Sequence, residues 1–380
     1  MQKVKFKELF NFQKKSKIKA GDGFKLGEGK YPFYTSSDTL SKTLNEFLFE
    51  KESLIFGTGG LASIHHSNDK FAVSTDCFVT QPKDLKYVYA KYVYFYLSGN
   101  MHLLENGFKG AGLKHISKGY IEDLEIPLPS LQTQQKIAAI LDKADELRQY
   151  NKQLIEKYDA LTQSLFLETF GDIVSNSKGW DKKTIKEISI RFSDGPFGSN
   201  LKTEHYSEKG IQVIRLQNIG INKFNNNGND KSFVNETHYN NVLKKYSCYP
   251  GDIVIATMGN PNIRACVLPD NIEVAVNKAD CVLLRVNPKT ANQIYISCLL
   301  NLEAFLNLAV SYIHGQTRSR ISSGQLGAIL VPIPPINLQN QFAERVQLIE
   351  TQKQQAQEAF AKSEALFQGL LQQAFKGELT

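Results

Sequence analysis

Ile126-Pro-Leu-Pro-Ser-Leu-Gln-Thr-Gln134 is answered 205 residues later by Val331-Pro-Ile-Pro-Pro-Ile-Asn-Leu-Gln339. The same offset carries His115-Ile-Ser-Lys-Gly119 onto Arg320-Ile-Ser-Ser-Gly324, Leu161 onto Leu366 and Phe170 onto Phe375. An offset of 204 aligns Thr75-Asp-Cys-Phe78 with Ala279-Asp-Cys-Val282, and 199 aligns Thr58 with Thr257. Matches that keep their order through both halves mark an internal duplication with small insertions.

After each Pro-rich loop the chain runs without Pro and almost without Gly, from Gln134 to Phe170 and from Gln339 to Phe375, and a Gly closes each stretch. This predicts two long helices. In the first, Ile137, Ala144, Asn151, Tyr158 and Leu165 repeat every seven residues, with Ile140, Leu147, Leu154 and Leu161 three places on. That is the period of a coiled-coil seam. Phe342, Ile349, Ala356, Ser363 and Leu370 hold the equivalent row of the second helix, Leu366 answers Leu161, and Arg345 and Gln352 interrupt the second row. At 1.5 Å per residue each helix spans roughly 55 Å. An antiparallel return would hold two globular parts apart with near-twofold symmetry; helices packing on their own domains, or pairing between chains, fit the same period.

The expected partition is a globular part over 1–125, a Pro-rich loop and spacer helix over 126–175, a second globular part over 176–330, and a second loop and helix over 331–380. Within the globular parts, Ser53–Phe56, Phe71–Ser74, Gln212–Arg215 and Asp252–Ile255 read as strands, and Tyr87–Leu97 and Gln293–Ala309 as helices. The fold class is therefore α+β: two sheet-rich domains separated by an antiparallel pair of coiled-coil helices, with a pseudo-twofold internal repeat.

The net charge of +7 is unevenly placed. Residues 1–125 hold 18 basic and 14 acidic side chains and residues 176–330 hold 18 and 12, whereas the two helical segments hold 5 against 7 and 4 against 5. Positive charge on the globular parts alone fits a polyanionic partner, although ordinary surface lysines would produce a similar count. Five cysteines without a Cys-x-x-Cys pair argue against a zinc cluster or a disulfide framework and predict buried thiols. No apolar run approaches the roughly 20 residues of a membrane span, and the N-terminus lacks the pattern of a secretory signal. The expected compartment is the cytoplasm, with no membrane partner.

Polar donors cluster in Gly- and Asn-rich segments of the second globular part: Ser193-Asp-Gly-Pro-Phe-Gly-Ser-Asn-Leu-Lys202, Arg215-Leu-Gln-Asn218, Thr257-Met-Gly-Asn-Pro-Asn-Ile-Arg264 and His314-Gly-Gln-Thr-Arg-Ser-Arg320. Arg can pair with guanine and Asn or Gln with adenine, while Lys, Ser and Thr can hold phosphates. The candidates are Ser199, Asn200, Lys202, Arg215, Gln217, Asn218, Thr257, Asn260, Arg264, Gln316, Arg318 and Arg320, with Arg318 and Arg320 foremost. Plain turns would have the same composition. The first globular part contains no arginine. Its repeat-equivalent loop, Phe108-Lys-Gly-Ala-Gly-Leu-Lys-His115, offers Lys109, Lys114 and His115, and Lys70, His65 and His66 rank behind them. The two parts should thus read different sequences. The His65-His66 pair has no third ligand at metal-binding spacing.

Asp194-Gly-Pro-Phe-Gly-Ser-Asn-Leu201, Val213-Ile-Arg-Leu-Gln-Asn-Ile219, Pro250-Gly-Asp-Ile-Val-Ile-Ala-Thr-Met-Gly259, Gly315-Gln-Thr-Arg-Ser-Arg-Ile-Ser322 and Ile333-Pro-Pro-Ile-Asn-Leu-Gln339 resemble the specificity subunits of type I restriction-modification enzymes. The resemblance covers nearly the whole chain. It implies a non-catalytic subunit in which each globular domain recognises one half of a split double-stranded DNA target. It also implies that the helices set the spacing and dock two methyltransferase subunits, to which restriction-translocase subunits are added. S-adenosylmethionine, ATP and Mg are then expected on the partners and not on this chain. Base-reading residues vary within the family, so none is transferred.

Self-contained chemistry is poorly supported. Gly57-Thr-Gly-Gly60 and Asp194-Gly-Pro-Phe197 echo the two sites of an adenine methyltransferase but lie in different repeat halves, and the second has Gly where the first Pro belongs. No Gly-x-x-x-x-Gly-Lys-Ser/Thr loop is present. Two alternatives remain open: the specificity subunit of a related fused restriction-methylation system, and a coiled-coil scaffold that binds no DNA.

Overall fold

The computed structural model describes residues 2–226, 231–313 and 319–379. The chain forms two compact units, Met1–Gln153 with Ala356–Thr380, and Leu154–Gln355. The unit boundaries fall inside the long helices, so each unit combines one globular part with portions of both.

In the first unit Lys3–Lys5 pairs antiparallel with Glu125–Pro127 and ties off the globular part at its ends. Between them lies a four-stranded sheet in the order Phe10–Phe12, Cys77–Pro82, Ser53–Gly57, Ile64–Ser67. A second sheet runs Phe24–Lys25, Lys42–Leu44, Tyr31–Tyr34, Ala72–Val73, its last pair parallel. The second unit repeats this plan. Lys182–Thr184 pairs with Leu330–Pro332, one sheet runs Ser189–Ser193, Cys281–Val286, Ile253–Ala256, Arg264–Val267, and the other runs Tyr206–Ser207, Phe233–Val234, Ile211–Ile214, Ala275–Asn277, Ser247–Cys248. Here too the third and fourth strands of the second sheet are parallel. Ser53–Gly57 and Ile253–Ala256 are buried at every position, which is why they read as continuous apolar runs with no alternation. The stretch Gln293–Ala309, expected as one helix, breaks into Gln293–Leu300 and Glu303–Ala309.

The Pro-rich loops are closed by matching polar clamps. Gln134 is fully buried. Its amide donates to the Tyr87 and Pro129 carbonyls at 3.1 and 3.0 Å and accepts the Tyr89 N–H at 2.9 Å. Gln339, also fully buried, donates to the Thr290 and Pro334 carbonyls at 3.2 and 2.7 Å and accepts the Asn292 N–H at 2.9 Å. Tyr92 and Tyr295 each donate a 2.8 Å hydroxyl bond, to the Pro127 and Pro332 carbonyls. Loop carbonyls buried here without donors would be costly, so the recurring Gln and Tyr follow from the Pro-bounded loop itself.

From these loops rise Leu131–Phe170, 40 residues, and Ile336–Lys376, 41 residues. Gly171 and Gly377, at φ +76° and +83°, take the left-handed turn that ends each one. Inside each unit the helix portions run antiparallel. Arg148 reaches Glu364 and Asn151 reaches Ser363 in the first unit; Asp159 meets Lys353 and Phe166 meets Phe342 in the second.

The seam differs from the expected one by one residue. Ile137, Ala144, Asn151, Phe342, Ala356 and Ser363 are buried as expected, and Leu154, Tyr158, Ile349 and Leu370 are half-buried. Ile140, Leu147, Leu161 and Leu366, candidates for helix packing or partner binding, are 40 to 51% exposed and so lie outside the seam. The second row lies four places after the first: Leu141, Arg148 and Thr162 on one helix, and Val346, Lys353 and Phe367 on the other. Polar residues belong to it because they are partnered. Arg148 and Lys353 form ion pairs across the seam, and the Thr162 hydroxyl donates to the Tyr158 carbonyl at 3.3 Å.

All five cysteines are buried and free. Burial pushes the Cys77 thiol up to about 11, those of Cys248, Cys266 and Cys298 up to about 12, and that of Cys281 further still. A thiolate is the reactive form. Native chain is therefore expected to release no chromophore from an aromatic disulfide reagent at pH 8, and to release five equivalents once unfolded. Rapid labelling of the native chain would contradict the burial. Among the described residues no single helix is long and apolar enough to cross a membrane, and no group of three His, Cys, Asp or Glu could hold a metal ion.

Candidate nucleic-acid interface

At the end of the central strand Ile253–Ala256, Thr257 knots three loops together. Its N–H and hydroxyl both donate to the Asp280 carbonyl, at 3.1 and 3.0 Å, and its carbonyl accepts the Ile321 N–H at 3.1 Å. Met258 and Arg320 form an antiparallel bridge alongside. Arg320 consequently leaves the knot with a 64% exposed side chain whose Nη1 lies 3.6 Å from the Asp280 carboxylate. Asp194, which accepts the Ser323 hydroxyl at 2.5 Å, lines with Phe197, Thr257, Asp280 and Arg320 a hollow of about 140 Å³.

The first unit builds the same knot. After Ser53–Gly57, Thr58 donates its N–H and hydroxyl to the Asp76 carbonyl at 2.9 and 3.0 Å, and its carbonyl accepts the Ile116 N–H at 3.1 Å. Gly59 bridges to His115, whose Nδ1 donates to the Thr58 carbonyl at 3.1 Å. His115 therefore stands where Arg320 stands in the second unit, as the repeat offset predicts. Lys109 pairs with His115 across a short hairpin, and both are exposed, as is Lys114.

Three sequence candidates hold the frame together and are not free to read bases. Asn218 is fully buried; its Oδ1 accepts the Arg215 N–H at 2.9 Å and its Nδ2 donates to the Asn225 carbonyl at 3.0 Å. Thr257 is 3% exposed and spent on the knot. Arg264 donates to the Ile219, Pro261 and Leu216 carbonyls at 3.0, 2.7 and 3.4 Å. Polar residues in Gly- and Asn-rich loops satisfy buried loop carbonyls as readily as they face a ligand.

The remaining candidates stay accessible. Ser199, Lys202, Gln217 and Asn260 are exposed and Asn200 and Arg215 half-exposed, with the Arg215 Nη1 on the Ser232 hydroxyl at 3.1 Å. The Asn200 carbonyl accepts the His238 Nε2 at 2.8 Å, and His238 stacks on His205 at 3.8 Å. Exposed Lys70 lies over the Phe47 ring at 4.5 Å. His65 donates to the Ser37 carbonyl, burial lowering its pKa, and His66 meets Glu52 at 2.9 Å, so both are engaged within the fold. Gln316 and Arg318 lie outside the described residues.

One feature escaped the sequence reading. The loop after the edge strand Phe10–Phe12 carries exposed Lys14, Lys15, Lys17 and Lys19, and the Ile18 carbonyl between them accepts the Thr75 N–H at 2.7 Å, next to the Asp76 knot. In the second unit the loop after the corresponding edge strand Ser189–Ser193 is the one that carries Ser199, Asn200 and Lys202. The lysine run was visible in sequence, but the two loops share no residue pattern, and only sheet order pairs them. If this loop tracks phosphates, changing all four lysines to Gln should flatten the fall of log affinity with log salt by about three to four, at about 0.9 per lost contact. Anisotropy titrations of duplex with the assembled complex would read this; an unchanged slope would remove the loop from the interface.

A family model described as the type I restriction modification DNA specificity domain matches residues 1–158. The type I restriction enzyme MjaVIII specificity subunit of Methanocaldococcus jannaschii is 25% identical over 85% of this chain and 80% of its own length. The EcoDI specificity subunit of Escherichia coli is 22% identical over 93% of this chain and 83% of its own. Among solved structures, the S subunit of a type I restriction-modification system from M. genitalium superposes with a TM-score of 0.64 at 19% identity, covering 98% of this chain and 95% of that one. Matched domain, relatives over most of their length and shared fold agree in one likeness: the chain is similar to the specificity subunits of type I restriction-modification systems.

Proposed function

We propose that the two globular parts each read one half of a bipartite double-stranded DNA target, through the loops gathered at the Thr58 and Thr257 knots. The observation that carries this reading is the repetition of one knot at the same strand end in both units, presenting His115 in one and Arg320 in the other. Equal scaffolds with unlike side chains suit an asymmetric target. The surplus of positive charge on both globular parts supports it, since phosphate contacts supply much of the affinity for a duplex.

The long helices would set the spacing. A separation of recognition centres of roughly 35 to 55 Å corresponds, at 3.4 Å per base pair, to target halves about 10 to 16 base pairs apart. The same helices would dock two methyltransferase subunits, and through them restriction-translocase subunits. Apolar side chains left outside the seam support such docking: Ile140, Leu147 and Leu366 in the first unit, Leu161 and Leu348 in the second. S-adenosylmethionine would then be held by the methyltransferase, and ATP and Mg by the translocase.

Sequencing modified sites in cells with and without this chain is expected to show loss of one bipartite methylation motif. In the reconstituted complex, Arg320→Ala should weaken binding of that target about ten- to a hundredfold, the worth of one good base contact. Methyltransferase association should be unaffected. Loss of association would instead place Arg320 in the protein interface, and a complex indifferent to DNA would leave only a scaffold.

A further inference from the structure

The ion pairs that tie the long helices recur at the repeat offset, but their surroundings do not. In the first unit Arg148 lies 2.5 Å from Asp145 on its own helix and 3.2 Å from Glu364 on the other. In the second unit the residues 205 positions away are Lys353, Glu350 and Asp159. Lys353 keeps a 2.5 Å pair with Asp159 but stands 3.8 Å from Glu350. In the first unit the space beside this triad holds rings. Phe367 lies under the Arg148 guanidinium at 4.8 Å and, with Tyr94 and Phe95, lines a cavity of about 190 Å³. The equivalent residues of the second unit are small: Thr162, Ser297 and Cys298. The hollow there grows to about 310 Å³, walled by Val267, Ile294 and Val346, with Glu350 also lining it. Burial raises the Glu350 pKa even with Lys353 3.8 Å away. Leu161 and Leu348, 48% and 64% exposed, lie on the same two helices that line the hollow through Thr162 and Gln347.

We infer that this hollow seats an arginine side chain of the methyltransferase subunit docked on the second unit, its methylenes against Ile294, Val346 and Cys298 and its guanidinium on Glu350. The inference rests on the docking reading above and adds the residue chemistry. Arginine fits because in the first unit Asp145, the counterpart of Glu350, is met at 2.5 Å by a guanidinium stacked on Phe367, whereas Lys353 stands 3.8 Å from Glu350 with no ring beside it among the described residues, and because a guanidinium matches a carboxylate in two parallel bonds. Identical methyltransferase copies therefore meet unlike seats. The first unit's is already occupied by its own ring and its own cation, so the second unit binds more tightly.

Titration of the cognate methyltransferase subunit into the full chain, followed by native mass spectrometry and calorimetry, tests this. Two unequal binding steps are expected. Thr162→Phe, which supplies the ring that the first unit has at Phe367, and Glu350→Gln should each weaken the tight step about tenfold or more and leave the weak step alone. Neither should lower the melting temperature much, because one fills a hollow and the other leaves Lys353 its shorter pair with Asp159. Should Thr162→Phe misfold, Glu350→Gln decides alone. Two equal steps, or a tight step unmoved by Glu350→Gln, overturn the seat while leaving docking intact. A parent chain that binds no methyltransferase overturns docking and seat together.

Discussion

Phe166→Ala is expected to destabilise the second unit by about 3 to 5 kcal/mol, the range for emptying an aromatic site in a core. Phe166 is fully buried where three elements of that unit meet. It stacks on Tyr295 at 5.4 Å, contacts Phe170 edge-on at 5.0 Å and meets Phe342 of the second helix at 5.6 Å and 90°. Removing the ring strips one side from each of those contacts, and the neighbours are too firmly held to collapse inward. Tyr295, for example, is pinned by its hydroxyl bond to Pro332. Trp180, the chain's single tryptophan, reports the result locally, since its indole N–H donates to the Phe170 carbonyl at 2.9 Å in the same unit. Urea titration followed by its fluorescence should show a large fall in midpoint. A shift worth less than about 0.5 kcal/mol, within the spread of ordinary surface changes, would mean that the aromatic cluster is not the joint between helices and globular part.

That joint also shows what could be read from residues alone. The repeated Pro-rich loop, the Gly-terminated helices and the first seam row follow from local rules, and each is met in the structure: Gln134 with Gln339, Gly171 with Gly377, Ile137 with Phe342. The second seam row was misread because Ile140, Leu147, Leu154 and Leu161 form a cleaner apolar series than the true Leu141, Arg148 and Thr162. Periodicity records which faces are apolar, not what covers them, and an exposed apolar row has the same spacing as a core. The same ambiguity governed the candidate site. The pairing of His115 with Arg320 was legible from the offset. That Asn218, Thr257 and Arg264 bond loop carbonyls was not, because the carbonyls that occupy them belong to residues up to 48 positions away. The lysine loop at 14–19 needed the sheet order before it could be matched to anything.

Lengthening both long helices should move the target. Four residues inserted after Gln153 and four after Gln355, where the compact units divide, add slightly more than one turn to each helix, so the buried face stays roughly continuous. Each helix gains about 6 Å, which at 3.4 Å per base pair is one to two base pairs. Sequencing of modified sites is then expected to show methylation of the same two half-sites with a spacer longer by that amount, and loss of the original motif. Inserting into one helix alone is a different experiment. It slides Arg148 away from Glu364, or Lys353 away from Asp159, and should lower stability without creating a new specificity. A doubly extended chain that still methylates the original spacing would mean that the helices do not measure the target, and that the distance between half-sites is set by the docked subunits instead.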